Sequence, residues 1–165
     1  MRIGQAIDIH QLTENRELIL GGVKIEYEKG LLGHSDADVL LHAIAEAIIG
    51  ALGLGDLGTH FPDTDERYKS ISSTLLLAEV EKMMSNYNYE IGNIDSTVLI
   101  EEPKLAGYKR QMEKNIADVL KCDVSKVNVK ATRGEKLGFV GEEKGVAALA
   151  VVVLKERRKT EYVHV

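Results

Sequence analysis

The stretch that most constrains the fold runs from Val39 to Leu52, where nearly every residue is apolar or small. A helix that is apolar on most sides is normally buried, so this one needs other elements packed around it. His42 and Glu46 are then polar groups with little solvent to face, and buried polar groups need partners. The partner of His42 is either a backbone carbonyl in the core or a metal ion. Ser35, with Asp38 three residues on, is the predicted N-cap of the helix.

Apolar periodicity predicts alternating strands and helices along the rest of the chain. Strands are predicted around residues 3–10, 18–20, 23–30, 94–100, 127–132 and 146–154, and further helices at 70–86 and 105–121. The pattern favours an α+β fold, a single mixed β-sheet packed on one face by α-helices. We expect a ferredoxin-like arrangement of this sandwich in one domain over residues 1–155, followed by a charged C-terminal tail at 156–165.

The bulk composition narrows the range of functions. The 165 residues carry a formal net charge of -5, which argues against the basic face that nucleic-acid binding requires. Cys122 is the single cysteine, so no internal disulfide is expected and a reducing, cytoplasmic location is predicted. The N-terminus lacks the apolar core of a signal peptide, and the longest apolar run, 146–154, is too short to span a bilayer. We therefore expect partners other than nucleic acid or membrane.

Three side chains form a candidate metal site. Asp8 and His10 alternate with isoleucines in the first strand, so they share one face and can converge on one point. For this short motif alone, a solvent-facing polar strand edge is the commoner alternative. Together with His42, the two residues offer one carboxylate and two imidazoles from rigid elements, with a fourth metal position left free. That set suits a catalytic zinc ion, and it also suits a non-haem iron(II) triad.

A loop rich in glycine and carboxylates follows the apolar helix. It contains the segments Asp56-Leu57-Gly58 and Phe61-Pro62-Asp63-Thr64-Asp65. One interpretation is a solvated connection, and the other is a lid over the polar groups of a ligand. The length of the loop favours the lid, but only weakly.

Short motifs in a fixed order identify a family. They are Asp8-Ile9-His10, Gly33-His34-Ser35-Asp36-Ala37-Asp38, Leu41-His42, Gly55-Asp56-Leu57-Gly58, the 61–65 segment, Pro103-Lys104, and Lys130-Ala131-Thr132 leading to Glu135-Lys136-Leu137-Gly138-Phe139. Each motif is weak alone, but in this order and at these spacings they are highly specific. From residue 2 to about residue 154, the chain resembles the 2-C-methyl-D-erythritol 2,4-cyclodiphosphate synthases of the non-mevalonate isoprenoid pathway.

The resemblance implies an intramolecular displacement on a cytidine diphosphate-linked substrate. In this family the 2-phosphate of 4-diphosphocytidyl-2-C-methyl-D-erythritol 2-phosphate attacks the β-phosphorus, and CMP leaves as the cyclic diphosphate forms. Such phosphoryl transfer needs mainly positioning and charge neutralisation. By resemblance, Asp8, His10 and His42 hold a zinc ion, and Glu135 is a ligand of a second divalent cation, Mg2+ or Mn2+.

The resemblance also assigns the contacts to substrate. His34 and Glu135 are the implied catalytic residues, and His34 and Ser35 would contact the attacking phosphate. Arg133 is predicted as a third catalytic residue because it directly follows Thr132, near the leaving nucleotide. The implied substrate-binding set continues with Asp8, Ile9 and His10; with Asp56, Leu57, Gly58, Phe61, Pro62, Asp63, Thr64 and Asp65 for the methylerythritol hydroxyls; with Ile100, Glu101, Glu102, Pro103, Lys104, Leu105, Ala106, Thr132, Arg133, Gly134 and Glu135 for the cytidine and phosphates; and with Phe139 and Glu142. Taken alone, Lys104 and Glu135 would pass as ordinary solvated side chains.

A few positions depart from the family pattern. Arg133 stands where many relatives have a threonine that contacts phosphate, so its charge either replaces that contact or points elsewhere. Gly134 makes the same loop more flexible, and Glu46 replaces a common aspartate. Glu142 and Lys144 reverse charges that line the central cavity of the family's trimer, which argues against isoprenoid diphosphate binding there.

The resemblance further implies a homotrimer with active sites between subunits. The metal residues lie in the first third of the chain, whereas Lys104, Thr132 and Glu135 lie further along, so each site can combine clusters from two neighbouring chains. Two other functions stay open on the residues alone. One is an iron(II) oxygenase that uses the same triad and would need a second cosubstrate site. The other is a trimeric nucleotide-binding regulatory module without chemistry.

Overall fold

The computed structural model describes residues 1–62, 64, 65, 68 and 71–157. Asp63, the predicted helix start at Ser70 and tail residues 158–165 lie outside the described residues. In chain order the elements are β1 (Arg2–Glu14), β2 (Leu18–Leu20), β3 (Val23–Ile25), β4 (Lys29–Leu31), α1 (Val39–Leu52), α2 (Leu57–His60), α3 (Ser73–Asn86), β5 (Tyr89–Leu99), α4 (Lys109–Val119), a 3-10 turn (Val124–Lys126), β6 (Val127–Thr132), α5 (Gly138–Gly141) and β7 (Gly145–Glu156).

Five strands form the main sheet, in the order β4-β1-β7-β5-β6. Neighbouring strands in it are antiparallel, except that β5 and β6 run parallel. A parallel pair needs a crossover connection, and α4 supplies it between β5 and β6. The strands β2 and β3 form a separate two-stranded sheet. The prediction of a mixed sheet is therefore confirmed.

The long helices α1, α3 and α4 pack on one face of the main sheet. In β7 the residues on that face, Ala148, Ala150 and Val152, are buried, whereas Leu149 and Val151 on the opposite face are 40% and 46% exposed. Helix α1 is buried on nearly all sides, as its composition predicts. None of the helices in the described part of the chain has the length and hydrophobicity that crossing a bilayer requires.

Strand β1 directs its small and polar residues inward and its isoleucines outward. Ile3, Ile7 and Ile9 are more than half exposed. Inward-facing Gly4 lies so close to α1 that a Cβ atom there would sit 1.9 Å from the carbonyl oxygen of Ala47. A side chain at position 4 would hold the helix away, so this close approach requires glycine there.

The predicted N-cap of α1 is wrong. The cap is Asp38, whose side chain accepts a hydrogen bond from the Leu41 amide at 3.1 Å, while Ser35 Oγ accepts one from the Ala37 amide. Asp38 is buried and also accepts bonds from the Gly21 and Gly22 amides at the β2–β3 turn. Burial raises its pKa to about 6. One carboxylate thus fixes both a helix start and a hairpin.

Other boundaries differ by a few residues from the predictions. Strand β5 begins at Tyr89, five residues before the predicted start at Ile94. Helix α4 begins at Lys109 rather than Leu105, because 105–108 forms a turn in which the Tyr108 amide bonds to the Leu105 carbonyl. Short helices also occupy parts of two predicted loops, at 57–60 and 138–141.

Candidate active site

Asp8, His10 and His42 come together between β1 and α1. Asp8 Oδ2 lies 3.1 Å from both His10 Nε2 and His42 Nδ1, and the two ring nitrogens are 3.3 Å apart. Asp8 and His10 are successive inward-facing residues of β1, and His42 lies in the first turn of α1. Within the described residues, this is the single group of three or more histidine, cysteine or acidic side chains with metal-ligand spacing.

The geometry of these three atoms fits a zinc ion. Tetrahedral zinc with bonds of about 2.0–2.1 Å places neighbouring ligand atoms about 3.3 Å apart, close to the observed separations. His10 Nδ1 donates to the carbonyl oxygen of Leu32 at 2.8 Å, which leaves Nε2 free to face the metal position. Three protein ligands leave one position open for another ligand, as in catalytic rather than structural zinc sites.

The outer nitrogen of His42 has partners that the sequence analysis missed. Its Nε2 lies 2.9 Å from Ser73 Oγ and 3.2 Å from Ser35 Oγ. Ser73 Oγ in turn bonds to Asp36, whose second carboxylate oxygen accepts from the Ser73 amide at 3.0 Å. Asp36 belongs to one of the family motifs but had no predicted role. Ser73 was only one of three serines at the start of the helix predicted at 70–86.

Interactions within the triad shift the pKa values of Asp8 and His10 in opposite directions. Burial tends to raise the pKa of Asp8, but hydrogen bonds and charge interactions with His10 and His42 outweigh it and hold the pKa well below its usual range. Burial tends to lower the pKa of His10, but the bond to Asp8 and its charge raise the pKa above the ordinary value. At neutral pH the site therefore keeps an ionised carboxylate, which is the form that binds a cation.

A first cavity, of about 230 Å³, opens beside the triad. It is lined by His10, His34, Ser35, His42, Leu57, Phe61, Tyr68, Ile71 and Leu76. The sequence analysis predicted His34, Ser35, Leu57 and Phe61 as site residues, but it missed the apolar contribution of Tyr68, Ile71 and Leu76. A lining that combines polar and apolar side chains suits a small ligand with both charged and hydrocarbon parts.

Short-range hydrogen bonds build the segment that carries Leu57 and Phe61. Asp56 caps α2 through the Thr59 amide at 2.8 Å and the Thr59 hydroxyl at 2.6 Å. Glu46, noted as unusual on a buried helix, accepts from the Leu57 amide at 3.3 Å. Of the other residues predicted in this segment, Gly58 lies in α2. Pro62, Thr64 and Asp65 come after Phe61, beyond the end of α2.

A second cavity, of about 270 Å³, lies at the ends of β5 and β6. It is lined by Ile100, Glu101, Pro103, Lys104, Leu105, Ala106, Lys109, Ala131, Thr132 and Arg133. All but Lys109 and Ala131 belong to the predicted substrate-binding set. This cavity gathers residues from two loops that are 30 positions apart in sequence, because β5 and β6 are paired neighbours with Leu99 opposite Thr132.

Buried Glu101 lines the second cavity and binds three groups of the 133–136 segment. Its carboxylate contacts Arg133 Nη2 at 3.0 Å, Lys136 Nζ at 2.9 Å and the Gly134 amide at 3.0 Å. Hydrogen bonds from Lys136 and Arg133 hold the pKa of Glu101 below its usual range. The guanidinium of Arg133 is therefore engaged within the protein, while the residue still lines the cavity.

The remaining predicted residues lie apart from the triad. Glu135 is exposed with a φ of 52°, and it does not join the metal-type group. Glu102 reaches Arg133 at 3.9 Å, Phe139 lies in α5, and Glu142 pairs with Lys144 at 2.5 Å. The Ile9 side chain lies on the outer face of β1, opposite to the triad, and its amide donates to Asp8 Oδ1.

The two cavities share no lining residue among those that the structure describes. His10 pairs with Val146 of β7, and Leu99 of β5 pairs with both Ala147 and Thr132, so both cavities lie near the same end of the strands but on different strands of the sheet. Three strand spacings separate β1 from β6, which corresponds to roughly 14 Å. A single chain thus presents the metal-type triad with the first cavity, and the second cavity, as separate features.

Comparison with known proteins decides the family. The family model described as the YgbB family matches residues 1–155. The chain belongs to the YgbB family. Curated YgbB-type relatives include the 2-C-methyl-D-erythritol 2,4-cyclodiphosphate synthase of Geobacillus sp. (strain WCH70), which is 58% identical over 156 residues, covering 94% of this chain and 99% of the relative. The enzyme of the same name from Shouchella clausii (strain KSM-K16) is 56% identical over 156 residues, covering 94% and 98%.

Solved structures share the fold of this YgbB-family chain. The bifunctional IspDF from Campylobacter jejuni superposes with a TM-score of 0.90 at 44% identity, over 94% of this chain and 42% of that one. IspF of Plasmodium falciparum, in a complex with CDP, gives a TM-score of 0.84 at 38% identity, over 95% and 97%. The resemblance inferred from the short motifs is thereby confirmed, and the α/β architecture matches that of these proteins.

Proposed function

We propose that this protein converts 4-diphosphocytidyl-2-C-methyl-D-erythritol 2-phosphate to 2-C-methyl-D-erythritol 2,4-cyclodiphosphate and CMP, a phosphorus-oxygen lyase reaction of isoprenoid precursor synthesis. The observation that carries this function is the Asp8-His10-His42 cluster, which lines a ligand-sized cavity in a YgbB-family chain. The named activity of relatives at 54–58% identity over nearly the full length supports the same reaction.

In this reaction an oxygen of the 2-phosphate forms a bond to the β-phosphorus. The bond from that phosphorus to the oxygen bridging to CMP breaks, and its electron pair leaves with CMP. Asp8 Oδ2, His10 Nε2 and His42 Nδ1 would hold a zinc ion, which supplies positive charge to the phosphate oxygens when bound. His34 and Ser35 face the same cavity, where they would orient the attacking phosphate.

The second cavity would hold the cytidine diphosphate part of the substrate. Lys104 and Thr132 line it and offer an ammonium group and a hydroxyl to anionic oxygens. Glu135 is exposed and lies two residues after Arg133, which lines this cavity. It would be a ligand of a second divalent cation, Mg2+ or Mn2+. The complex of the Plasmodium falciparum relative with CDP supports nucleotide binding in this family.

Assembly as a cyclic homotrimer with sites between subunits is part of the same proposal. The outer face of the sheet exposes Ile3, Ile7, Ile9, Leu149 and Val151. A contiguous apolar face of this kind is a typical protein–protein contact. Contact across a three-fold axis would bring the first cavity of one chain to the second cavity of the next.

Three further expectations remain proposals. A ferredoxin-like arrangement is the first, but its β-α-β-β-α-β order differs from the described one, which in its longer elements runs β1-α1-α3-β5-α4-β6-β7 with β7 antiparallel between β1 and β5. A single domain over 1–155 with a tail from 156 is supported by the end of β7 at Glu156. A cytoplasmic location is supported by the single cysteine, Cys122.

The direct test supplies the diphosphocytidyl substrate to zinc-loaded protein and follows CMP by chromatography and the cyclic diphosphate by 31P NMR. We expect both products in equal amounts. Nucleotide binding without CMP release would support the regulatory-module alternative, and substrate-independent oxygen consumption with bound iron would support the oxygenase. The comparisons favour neither alternative.

A further inference from the structure

Behind the metal-type triad, a chain of two hydrogen bonds connects His42 to helix α3. His42 Nε2 lies 2.9 Å from Ser73 Oγ, and Ser73 is fully buried as the first residue of α3. Ser73 Oγ then bonds to Asp36 Oδ1. Neither Ser73 nor Asp36 is one of the three ligand candidates, so their contacts act only on the outer side of the imidazole.

The direction of these bonds follows from the donors and acceptors present. An ionised carboxylate only accepts, so the Ser73 hydroxyl donates to Asp36. The Ser73 oxygen is then left to accept, and the proton it accepts is carried by His42 Nε2. A neutral imidazole with its proton on Nε2 has its lone pair on Nδ1, the atom that faces Asp8 and His10.

Asp36 is itself held in place by several backbone groups. Its Oδ2 accepts from the Ser73 amide at 3.0 Å, its Oδ1 accepts from the Asp38 amide at 3.2 Å, and its own amide donates to the Ile71 carbonyl at 3.2 Å. The carboxylate therefore connects the segment before α1 to the start of α3, and a fixed Asp36 fixes the Ser73 hydroxyl.

We propose that Ser73 and Asp36 are positioning residues that hold the His42 imidazole in the orientation and tautomer that bind the metal through Nδ1. This inference rests on the proposed function for the presence of zinc. Outer partners of metal-binding histidines restrict ring rotation and raise the basicity of the ligand nitrogen. Helix α3, which contributes no metal ligand, thereby takes part in setting the affinity of the site.

The test measures the zinc dissociation constant of the full chain by competition with a chromogenic chelator. Ser73→Ala keeps the backbone bond to Asp36 and removes only the hydroxyl. We expect it to raise the zinc dissociation constant about tenfold, the lower end of the effect of losing an outer partner. The effect stays at the lower end because Ser35 Oγ remains 3.2 Å from the same nitrogen.

Two matched variants separate positioning from helix stability. Ser72→Ala removes the neighbouring hydroxyl, which caps α3 by accepting from the Thr74 amide, whereas His42 contacts Ser73. It should lower the melting temperature yet leave the zinc dissociation constant within about twofold. Ser73→Thr retains a hydroxyl and should restore most of the affinity that Ser73→Ala loses.

A second readout follows the His42 Nε2 proton in zinc-bound, 15N-labelled protein by NMR. Exchange of this proton with water should be slow in the wild type and faster in Ser73→Ala. Equal zinc affinity in folded Ser73→Ala and Ser72→Ala would overturn the inference. If Ser73→Ala does not fold, Asp36→Ala decides instead, because it removes the acceptor of the Ser73 hydroxyl. An unchanged zinc dissociation constant in Asp36→Ala would equally overturn the inference. Failure of the wild type to bind zinc would count against the proposed function itself.

Discussion

At the scale of single residues, the inner face of β1 and the first turn of α1 determine the chemistry. His42→Ala should abolish zinc binding and CMP release while leaving the fold intact, because one imidazole is lost from a partly exposed cavity wall. Metal content by atomic absorption and circular dichroism would measure both effects. His60→Ala is the matched control, since His60 bonds to the Leu54 carbonyl outside the triad. A His42→Ala protein that retains stoichiometric zinc would show that the triad is wrongly assigned.

The role of Arg133 is a second residue-scale prediction. Arg133 lines the second cavity, so its charge should assist the leaving nucleotide, and Arg133→Ala should reduce kcat/KM by about tenfold. Arg133→Thr should recover much of the rate through a hydroxyl contact. Steady-state kinetics of CMP release would measure these changes.

Lys136→Ala is the control for Arg133, because Lys136 contacts the same Glu101 carboxylate but does not line the cavity. If Lys136→Ala and Arg133→Ala lose activity equally, the contribution of Arg133 is to support Glu101 rather than to contact phosphate. An unchanged rate in Arg133→Ala would exclude both roles.

At the scale of elements, the close contact between β1 and α1 at Gly4 can be tested directly. Gly4→Ala should lower the free energy of unfolding by about 3 kcal/mol, because the new methyl group would meet the Ala47 carbonyl and backbone must move. Gly50→Ala, within α1 and with open space around it, should instead raise it by about 0.5–1 kcal/mol. Urea denaturation of both variants measures the opposite signs, and equal effects would contradict this packing.

Buried Glu81 connects α3 to positively charged groups on other parts of the fold. Glu81 bonds to Lys121 and Ser85 at 2.6 Å and lies 3.8 Å from Arg157. Burial tends to raise its pKa, but these partners outweigh it and lower the pKa. Because the folded pKa lies below the unfolded value, the stabilisation is present above about pH 4.5 and is lost as the pH falls through the folded pKa.

Glu81→Gln should therefore reduce the free energy of unfolding at pH 7 by about 1–2 kcal/mol and flatten its decline in acid. Chemical denaturation between pH 3 and 7 would show this. Glu79→Gln, which removes an exposed acid paired with Lys82 on the same helix, should change stability by less than about 0.5 kcal/mol. Parallel pH curves for wild type and Glu81→Gln would refute the assignment.

The sequence predicted elements with strong periodicity and the ligand triad, but not the contacts that depend on long-range packing. Alternation in β1 was enough to put Asp8 and His10 on one face. It did not show that this face is the buried one, because that depends on how closely α1 approaches Gly4. The link from His42 to Ser73 spans 31 residues and has no local pattern, so only the packed structure reveals it.

At the scale of the whole molecule, the proposed trimer with sites between subunits predicts complementation between inactive chains. Asp8→Asn and Lys104→Ala chains should each be inactive, since each lacks one half of the site. Unfolded together and refolded as mixed trimers, about one site in four should combine two intact halves, so activity should return to roughly a quarter of the wild-type level. Verified mixed trimers that stay inactive would show that each site is built within one chain.

The alternation of β1 also has a consequence for how this domain tolerates insertions and deletions. Outward isoleucines and inward ligands occupy successive positions of one strand that is paired along ten residues with β7. A slip of one residue exchanges the two faces, so it would bury the isoleucines against α1 and turn both ligands to the outside. An insertion or deletion within β1 would therefore disturb both the outer apolar face and the metal-type triad, and neither could change without the other. Variation in chain length among functional relatives should accumulate outside this strand.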